Sequence, residues 1–310
     1  MKNIFKTHIA SAHIVPLLSV VVFVMAIVFV SCGNDGDIIG SAIEEPSGLP
    51  VEMVWVPGGS FNMGEGFGSG GLHTTVSGFY IGKYPVTQAQ YHAVMGTNPS
   101  EFATTKGKPS MKGETDRNRP VEKVSWYSAV EFCNKLSEME GLPPYYTIDK
   151  TIGSDTNNIH PSDALKWLVT RNDSSVGYRL PTWAEWEYAA TGGNGSPGQY
   201  VYAGSNDLEP VAWCRSNSSQ QTHEVGLKAP NGLGIYDMSG NVSEWCWNWD
   251  VGGKYPNEVQ VNPLGPVSGA FRVICGGSWY SNEIYLRSFG WSYCPPYIAM
   301  NDIGFRVVRR

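Results

Sequence analysis

Turn-forming residues interrupt this chain at short intervals, which limits it to a fold of short elements joined by many loops. Glycine supplies 36 and proline 20 of the 310 residues, well above the roughly 12% that the two supply together in an average protein. Hydrophobic residues still make up 42% of the chain, which is enough to build a sizeable core. The formal charge of −6 comes without a basic stripe, so we expect no nucleic-acid partner.

Three short helices are marked by the residues that cap their ends. Thr87 begins a sequence with the form of a capping box, and Gly96 would end that helix. Ser125 precedes residues 126–140, whose apolar side chains recur on one helical face. Thr182 opens a third helix that ends before two glycines. The remaining segments alternate as short strands and turns, so the sequence predicts an α+β domain with helices packed on an irregular sheet.

Residues 1–32 have the pattern of a bacterial export signal. Lys2 and Lys6 precede an uncharged stretch with an apolar core at 17–30, and the stretch ends in Val-Ser-Cys at Cys32. We therefore predict a signal peptide over residues 1–31, with Cys32 acylated as the first residue of a mature lipoprotein. The alternative is an uncleaved transmembrane anchor, because the apolar stretch is long enough to span a bilayer. In either case the domain is exported and tethered.

A flexible tether at residues 32–50 and one domain over residues 51–310 follow the signal. The domain contains Cys133, Cys214, Cys246, Cys275 and Cys294. Their number is odd, so at least one thiol stays unpaired within a single chain. Cys133 lies on the apolar face of the second predicted helix, where a buried free thiol is expected. The spacings do not suggest zinc, and the pairing of the other four cysteines stays open.

A series of motifs occurs along residues 51–310. They include Val-Pro-Gly-Gly-Ser-Phe within 54–64, Arg-Leu-Pro-Thr-Trp-Ala-Glu-Trp-Glu-Tyr within 178–190, Gly-Asn-Val-Ser-Glu-Trp at 240–245, Gly-Gly-Ser-Trp at 276–279 and Gly-Phe-Arg at 304–306. Together they resemble the formylglycine-generating (sulfatase-modifying factor) enzyme family. The resemblance implies that family's loop-rich variant of the C-type lectin fold.

This chain departs from the family where the resemblance would place catalysis. An active oxidase of the family carries two copper-binding cysteines after Gly-Gly-Ser, separated by four residues. Those positions hold Ser281 and Leu286 here. Two thiolates bind soft Cu(I), whereas a hydroxyl and an isobutyl group do not, so we expect no catalytic residue and no copper. The alternative is a metal-dependent oxidase that forms formylglycine on a protein cysteine with relocated ligands, for which Cys275 and Cys294 are candidates.

A structural calcium site is also implied by the resemblance. Its ligands map onto Asp237, Gly240, Val242 and Glu244. Two carboxylates and two backbone carbonyls suit a hard ion that prefers oxygen ligands. The alternative is that Asp237 and Glu244 cap turns or pair with a nearby arginine.

The segment between Gly-Gly-Ser-Trp and Gly-Phe-Arg is rich in Tyr, Trp, Ser and Phe, which supply rigid contact area and adaptable hydrogen bonds. The chain resembles lipoproteins with a diversified loop here, the variable proteins of diversity-generating retroelements. That resemblance implies a face for binding a protein or glycan ligand, on a domain lipid-anchored to a bacterial membrane, with exposure at the cell surface left open. The candidate ligand-binding residues are Trp279, Tyr280, Ser281, Asn282, Tyr285, Leu286, Ser288 and Trp291.

Two other interpretations of this segment stay open. Its aromatic side chains could belong to the core, since each buries a large area. The protein could instead be a structural component of a surface machine. Partial exposure of Trp279, Tyr280, Tyr285 and Trp291 would favour a binding face over a core.

Overall fold

The structure is a computed structural model that describes residues 50–64, 71–193, 200–250, 252 and 259–310. The predicted signal peptide, Cys32 and all but the last residue of the predicted tether lie outside the described residues. The chain divides into two units, Met1–Glu44 and Glu45–Arg310, and every element below belongs to the second. Within the described residues, the helices are too short or too polar to cross a membrane.

Three of the described segments form α-helices, where the sequence predicts them. They are α1 at Gln88–Met95, α2 at Trp126–Met139 and α3 at Trp183–Ala190. The side-chain oxygens of Thr87 and Thr182 each accept a hydrogen bond from the backbone N–H of the third helical residue. The backbone N–H of each threonine donates to the side chain of that same residue, which completes a capping box. The predicted starts of all three helices are confirmed. They could be predicted because the capping signals lie within a few residues of each start.

Short strands make up the rest of the regular structure. They are β1 Met53–Val56, β2 Gly59–Met63, β3 Leu72–Val76, β4 Phe79–Gly82, β5 Tyr146–Asp149, β6 Leu168–Arg171, β7 Ala212–Trp213, β8 Ser239–Gly240, β9 Ser243–Trp249, β10 Gln260–Val261, β11 Arg272–Cys275, β12 Trp291–Cys294, β13 Ile303–Gly304 and β14 Val308–Arg309. Single turns of 3₁₀ helix lie at Thr104–Lys106, Asp116–Asn118 and Glu283–Leu286. The α+β class predicted from the sequence is confirmed.

The largest described sheet has the strand order β12-β11-β9-β13. Its inner strands β9 and β11 are antiparallel, with a register shift between Arg272 and Ile274. Two further sheets have three strands each, with the orders β1-β4-β14 and β10-β3-β2. The predicted strands β1 and β2 follow each other across Pro57 and Gly58, yet they join different sheets. Gly58 permits this crossing, since a Cβ atom there would lie 2.7 Å from the amide nitrogen of Gly78.

Two hydrophobic clusters lie on opposite sides of β9. Trp245 packs into the cluster around α2, whereas the neighbouring Cys246 packs into the cluster around α3. This alternation follows from the two-residue period of a strand. The indole nitrogens of Trp126 and Trp245 donate to the carbonyls of Cys246 and Val124, at 3.0 and 2.8 Å. These two bonds join β9 to the α2 side, and β11 beside it leads directly into the loop that carries the candidate site.

A buried carboxyl group on α3 makes the stability of this core dependent on pH. Glu187 is almost fully buried, and its Oε1 accepts a 2.5 Å hydrogen bond from the backbone of Gly64. Its Oε2 has no hydrogen-bond partner within the described part of the chain. Burial raises the pKa of Glu187 from 4.5 to about 8, because the charged form loses its hydration.

We expect Glu187→Gln to flatten the dependence of stability on pH. A folded pKa above the unfolded value contributes stability that is complete below about pH 4.5 and is lost as the pH rises to about 8. This group should cost the wild type roughly 1 kcal/mol per pH unit in that window, as measured by urea unfolding. Burial also raises the pKa of Glu122 to about 8, and that contribution remains in both proteins. An unchanged pH slope in the variant would contradict the assignment.

Candidate functional site

Two glycines turn the chain sharply after β11 and bring the following loop back against the core. Gly276 and Gly277 have φ values of +86° and +64°, which favour glycine over residues with a Cβ atom. A Cβ atom on Gly276 would lie 2.9 Å from the Trp186 ring, and one on Gly277 would lie 2.9 Å from the carbonyl oxygen of Tyr285. The loop therefore starts from a tightly packed turn.

The two positions of the family's cysteine pair have structural contacts in this chain. Ser281 Oγ accepts a 2.9 Å hydrogen bond from the backbone nitrogen of Ser278 and lies 3.1 Å from its hydroxyl, so it closes the turn. Leu286 is fully buried in a small cluster with Tyr202, Val211 and Cys214. The carbonyl of Leu286 accepts a 2.7 Å hydrogen bond from Ser239. Neither side chain offers a ligand for a soft metal ion.

The predicted ligand-binding residues divide into an outer and an inner group. Tyr280, Asn282 and Tyr285 are exposed, with 53% and 47% exposure for the two tyrosines, and Ser281 and Trp291 are half-buried. Trp279, Leu286 and Ser288 are buried. Trp279 donates its indole N–H to the carbonyl of Asn301 at 3.0 Å and packs edge-on against Phe102. The three inner residues pack beneath the loop and are not accessible on its surface.

Two further residues lie at the surface of the loop, and no motif in the amino-acid sequence indicates them. Ile284 is 52% exposed in the 3₁₀ turn beside Tyr285. The Arg215 guanidinium lies 5.0 Å above the ring of Tyr280, and the Arg215 backbone nitrogen donates to the carbonyl of Ser281 at 3.3 Å. Arg215 comes from a separate segment of the chain, so only the folded structure brings it here.

A recess of about 500 Å³ opens between these two segments. Its walls are residues 214–216, 281–284 and Arg287. The buried thiol of Cys214 lies in the wall, 3.1 Å from the hydroxyl of Ser216. Cys214 shares a hydrophobic cluster with Leu286, at one of the family's catalytic positions.

The cysteines that the sequence suggested as relocated ligands do not meet. Cys275 and Cys294 occupy opposite ends of the β11–β12 ladder, about 10 Å apart at the usual rise per residue. Cys275 lies in the α3 cluster with its sulfur 3.7 Å from that of Cys246. Burial raises the pKa of Cys294 to about 12, which opposes formation of the thiolate needed for a metal ligand.

A buried ion pair occupies the region of the predicted calcium ligands. Arg306 donates to both carboxylate oxygens of Glu244, at 2.6 and 2.8 Å, and the indole of Trp186 donates to one of them at 2.7 Å. Asp237 accepts a 2.7 Å hydrogen bond from the backbone of Gly226, and burial raises its pKa to about 6. Gly240 packs tightly, since a Cβ atom there would lie 2.1 Å from the carbonyl oxygen of Trp213.

Pairing with an arginine is thus observed for Glu244, as the alternative to calcium anticipated. The described residues contain no group of three or more Asp, Glu, His or Cys side chains placed to hold a metal ion. A calcium ion bound by Asp237, Gly240, Val242 and Glu244 would have to share Glu244 with Arg306. These contacts do not fit an ion in the present arrangement, and calcium binding stays a prediction.

Similarity to known proteins assigns the chain to a family. Residues 41–310 match the family described as sulfatase-modifying factor enzyme 1-like domain. The chain belongs to this family. It is 42% identical to the chaperone protein LppX of Paenibacillus barcinonensis, over 83% of this chain and 89% of that protein. It is 30% identical to the formylglycine-generating enzyme of Thermomonospora curvata, over 79% and 88% of the two chains.

The fold of this sulfatase-modifying factor domain is shared with solved structures. Treponema denticola variable protein 1 has a TM-score of 0.73 and 34% identity, covering 83% of this chain and 94% of that one. The family's variant of the C-type lectin fold, expected from the sequence motifs, is confirmed. The domain therefore presents, on a family scaffold, a loop whose cysteine positions hold Ser281 and Leu286.

Calcium binding by this sulfatase-modifying factor domain can be tested against the ion pair. A ligand that binds only the native state adds about 2.7 kcal/mol at a hundredfold excess over its Kd. If calcium binds, it should raise the melting temperature of the wild type relative to chelator and leave Asp237→Ala unmoved. Asp207→Ala, at an exposed carboxylate, is the control and should respond as the wild type does. Equal shifts in all three proteins, or no shift in the wild type, would refute the site.

Proposed function

We propose that this domain is a non-catalytic binding module that holds a protein partner, on a lipoprotein exported to a bacterial membrane. One observation carries the proposal. The loop that holds catalytic cysteines in the family's oxidases here presents Tyr280, Ile284 and Tyr285 to solvent, each about half exposed. We call these three side chains, with Arg215 and Asn282, the loop surface. Large aromatic and aliphatic groups on a fixed turn are typical of binding surfaces.

The inner residues give the loop surface a fixed shape. Trp279 is hydrogen bonded and buried directly beside Tyr280, and Leu286 is buried directly beside Tyr285. Gly277 fits against the carbonyl of Tyr285. A surface that is ordered before binding loses less conformational entropy when the partner arrives. These contacts support binding by a pre-formed site.

A protein is favoured over a glycan as the ligand. The relative LppX is named a chaperone protein, and chaperones act on other proteins. Ile284 adds an aliphatic contact of the kind found in protein interfaces, where the centre is depleted in charge and enriched in aromatic residues. Binding of a glycan and not of a protein would contradict this choice.

Attachment to the membrane is tested at Cys32, which lies outside the described residues. The preceding apolar stretch and Val-Ser sequence lead us to expect that Cys32 takes up labelled fatty acid and that the wild type is processed. Cys32→Ser should accumulate as a precursor without label, because the acylated thiol is missing. Labelling and precursor size are read from the same gel. Equal labelling of the variant would contradict lipidation at this residue.

Alanine substitutions separate the loop surface from its support. We expect Tyr280→Ala and Tyr285→Ala to weaken capture of exported proteins by the full-length lipoprotein at least tenfold, because exposed aromatic anchors contribute about 2 kcal/mol each. Their melting temperatures should stay near that of the wild type. Trp279→Ala should instead unfold the domain, since removing a buried aromatic costs about 3–5 kcal/mol. Binding is measured by quantitative pull-down beside thermal melting.

Tyr80 provides the matched control for these variants. It is 38% exposed on β4 and packs against Trp55, away from the loop, so Tyr80→Ala should retain full capture. If the Tyr280 and Tyr285 variants keep the partner, or if both unfold, the proposed surface is wrong. If glycans compete with capture and proteins do not, the ligand is a glycan and not a protein.

A further inference from the structure

The recess beside the loop surface contains two guanidinium groups that the described chain leaves without acceptors. Arg215 is exposed and lies over the ring of Tyr280. Arg287 is half-buried, with its guanidinium carbon 5.8 Å from the centre of the Phe289 ring. Among the described residues, neither guanidinium has an ion pair or a hydrogen-bond acceptor, and the Nε of Arg287 is buried without a partner.

Three arginines inside the fold have their guanidinium groups matched by acceptors, although the Nε atoms of Arg272 and Arg309, like that of Arg287, have no partner among the described residues. The guanidinium of Arg306 donates to the carboxylate of Glu244 and to the carbonyls of Gly82 and Tyr236. Arg179 is paired with Glu185, and Arg119 binds Thr222, Gln221 and the carbonyl of Lys108. Each guanidinium carries five N–H donors, and groups removed from water are normally matched by acceptors. The guanidinium of Arg215 is exposed, and Arg287 lines the same recess. Apart from the buried Nε of Arg287, their donors can therefore reach an acceptor from outside the described chain.

The recess walls define what that acceptor can be. Two arginines and Glu283 line it, which leaves one net positive charge in a chain whose formal charge is −6. Ser216, Ser281 and Asn282 add small polar groups, and the half-exposed Ile284 supplies an apolar edge. A volume of about 500 Å³ lies in the range of sites that hold small groups. The walls thus suit a compact anion carried beside an apolar group.

We propose that this recess binds the carboxylate of an Asp or Glu side chain on the protein partner. The planar fork of a guanidinium matches a carboxylate through two parallel hydrogen bonds. Tyr285 and Ile284, next to the recess, contact the apolar residues that flank the acid. The inference rests on the proposed function, and it adds the chemical selectivity of the same surface.

Peptide pairs that differ only in charge test this selectivity. The probes are fluorescein-labelled octapeptides that place Asp or Glu beside Leu or Phe, each matched by the same peptide with Asn or Gln. We expect full-length wild type to bind the best acidic peptide at least tenfold more tightly than its amide partner, as read by fluorescence anisotropy. The difference should shrink as salt rises, because exposed charges are screened.

Variants of the two arginines assign the selectivity to the recess. Arg215→Gln and Arg287→Gln should each lose most of the difference between acid and amide. The double variant Arg215→Glu with Arg287→Glu should prefer the same peptides with Lys at the acidic position. Lys112→Gln, which removes an exposed positive charge elsewhere, is the matched control and should keep the selectivity of the wild type. If Arg287→Gln lowers the melting temperature, the double variant Arg287→Lys with Arg215→Gln is measured instead.

The outcomes separate this inference from the proposed function. Equal binding of acidic and amide peptides, no binding of any peptide, or selectivity that survives in the arginine variants overturns the carboxylate site. If Tyr280→Ala and Tyr285→Ala still abolish partner capture in that case, the binding module stands without it. If the arginine variants lose the selectivity while the tyrosine variants keep full capture, the carboxylate site stands and the proposed role of Tyr280 and Tyr285 in capture is wrong.

Discussion

The buried ion pair between Arg306 and Glu244 fixes the end of the chain to the centre of the fold. A buried pair is costly unless the remaining donors and acceptors are also satisfied, and here both oxygens of Glu244 are occupied by Arg306 and Trp186. Arg306 also donates to the carbonyls of Gly82 and Tyr236. These contacts join β9, α3 and β4 to the segment after β13, so they anchor the C-terminal end of the loop between β11 and β13. Its other end is held by the pairing of β11 with β9.

That anchoring is consistent with the proposed binding role, because it holds the loop in place without the family's cysteine pair. The loop retains its tight glycine turn and its packed interior, while its cysteine positions have become a turn hydroxyl at Ser281 and an apolar contact at Leu286. The thiol of Cys214 remains beside them, buried in the wall of the recess. The loop presents contact area outward, and Arg287 of the loop and Arg215 of a separate segment have no ion pair among the described residues. The proposed function uses both features.

Local signals in the sequence were sufficient for the helices and the family fold, and tertiary contacts determined the rest. Thr87 and Thr182 cap their helices through hydrogen bonds within a few residues, so the sequence predicted them. The exposure of Tyr280 and the burial of Trp279 depend instead on Phe102 and Asn301, which are distant in the chain. Arg215 was beyond reach for the same reason, because no spacing rule links its segment to the loop. Pairing of Glu244 with an arginine was anticipated as an alternative, but the identity of that arginine, Arg306, came only from the structure.

The division of the loop into two layers has a consequence for its sequence. Trp279 and Leu286 face the core, and each is followed or preceded by a tyrosine that faces solvent. Substitution of an inner side chain removes buried area and leaves a cavity, whereas substitution of an outer one away from such contacts changes stability little. The outer positions can therefore vary with the partner while the fold stays constant. A loop built in this way separates the residues that support the fold from the residues that are exposed to solvent.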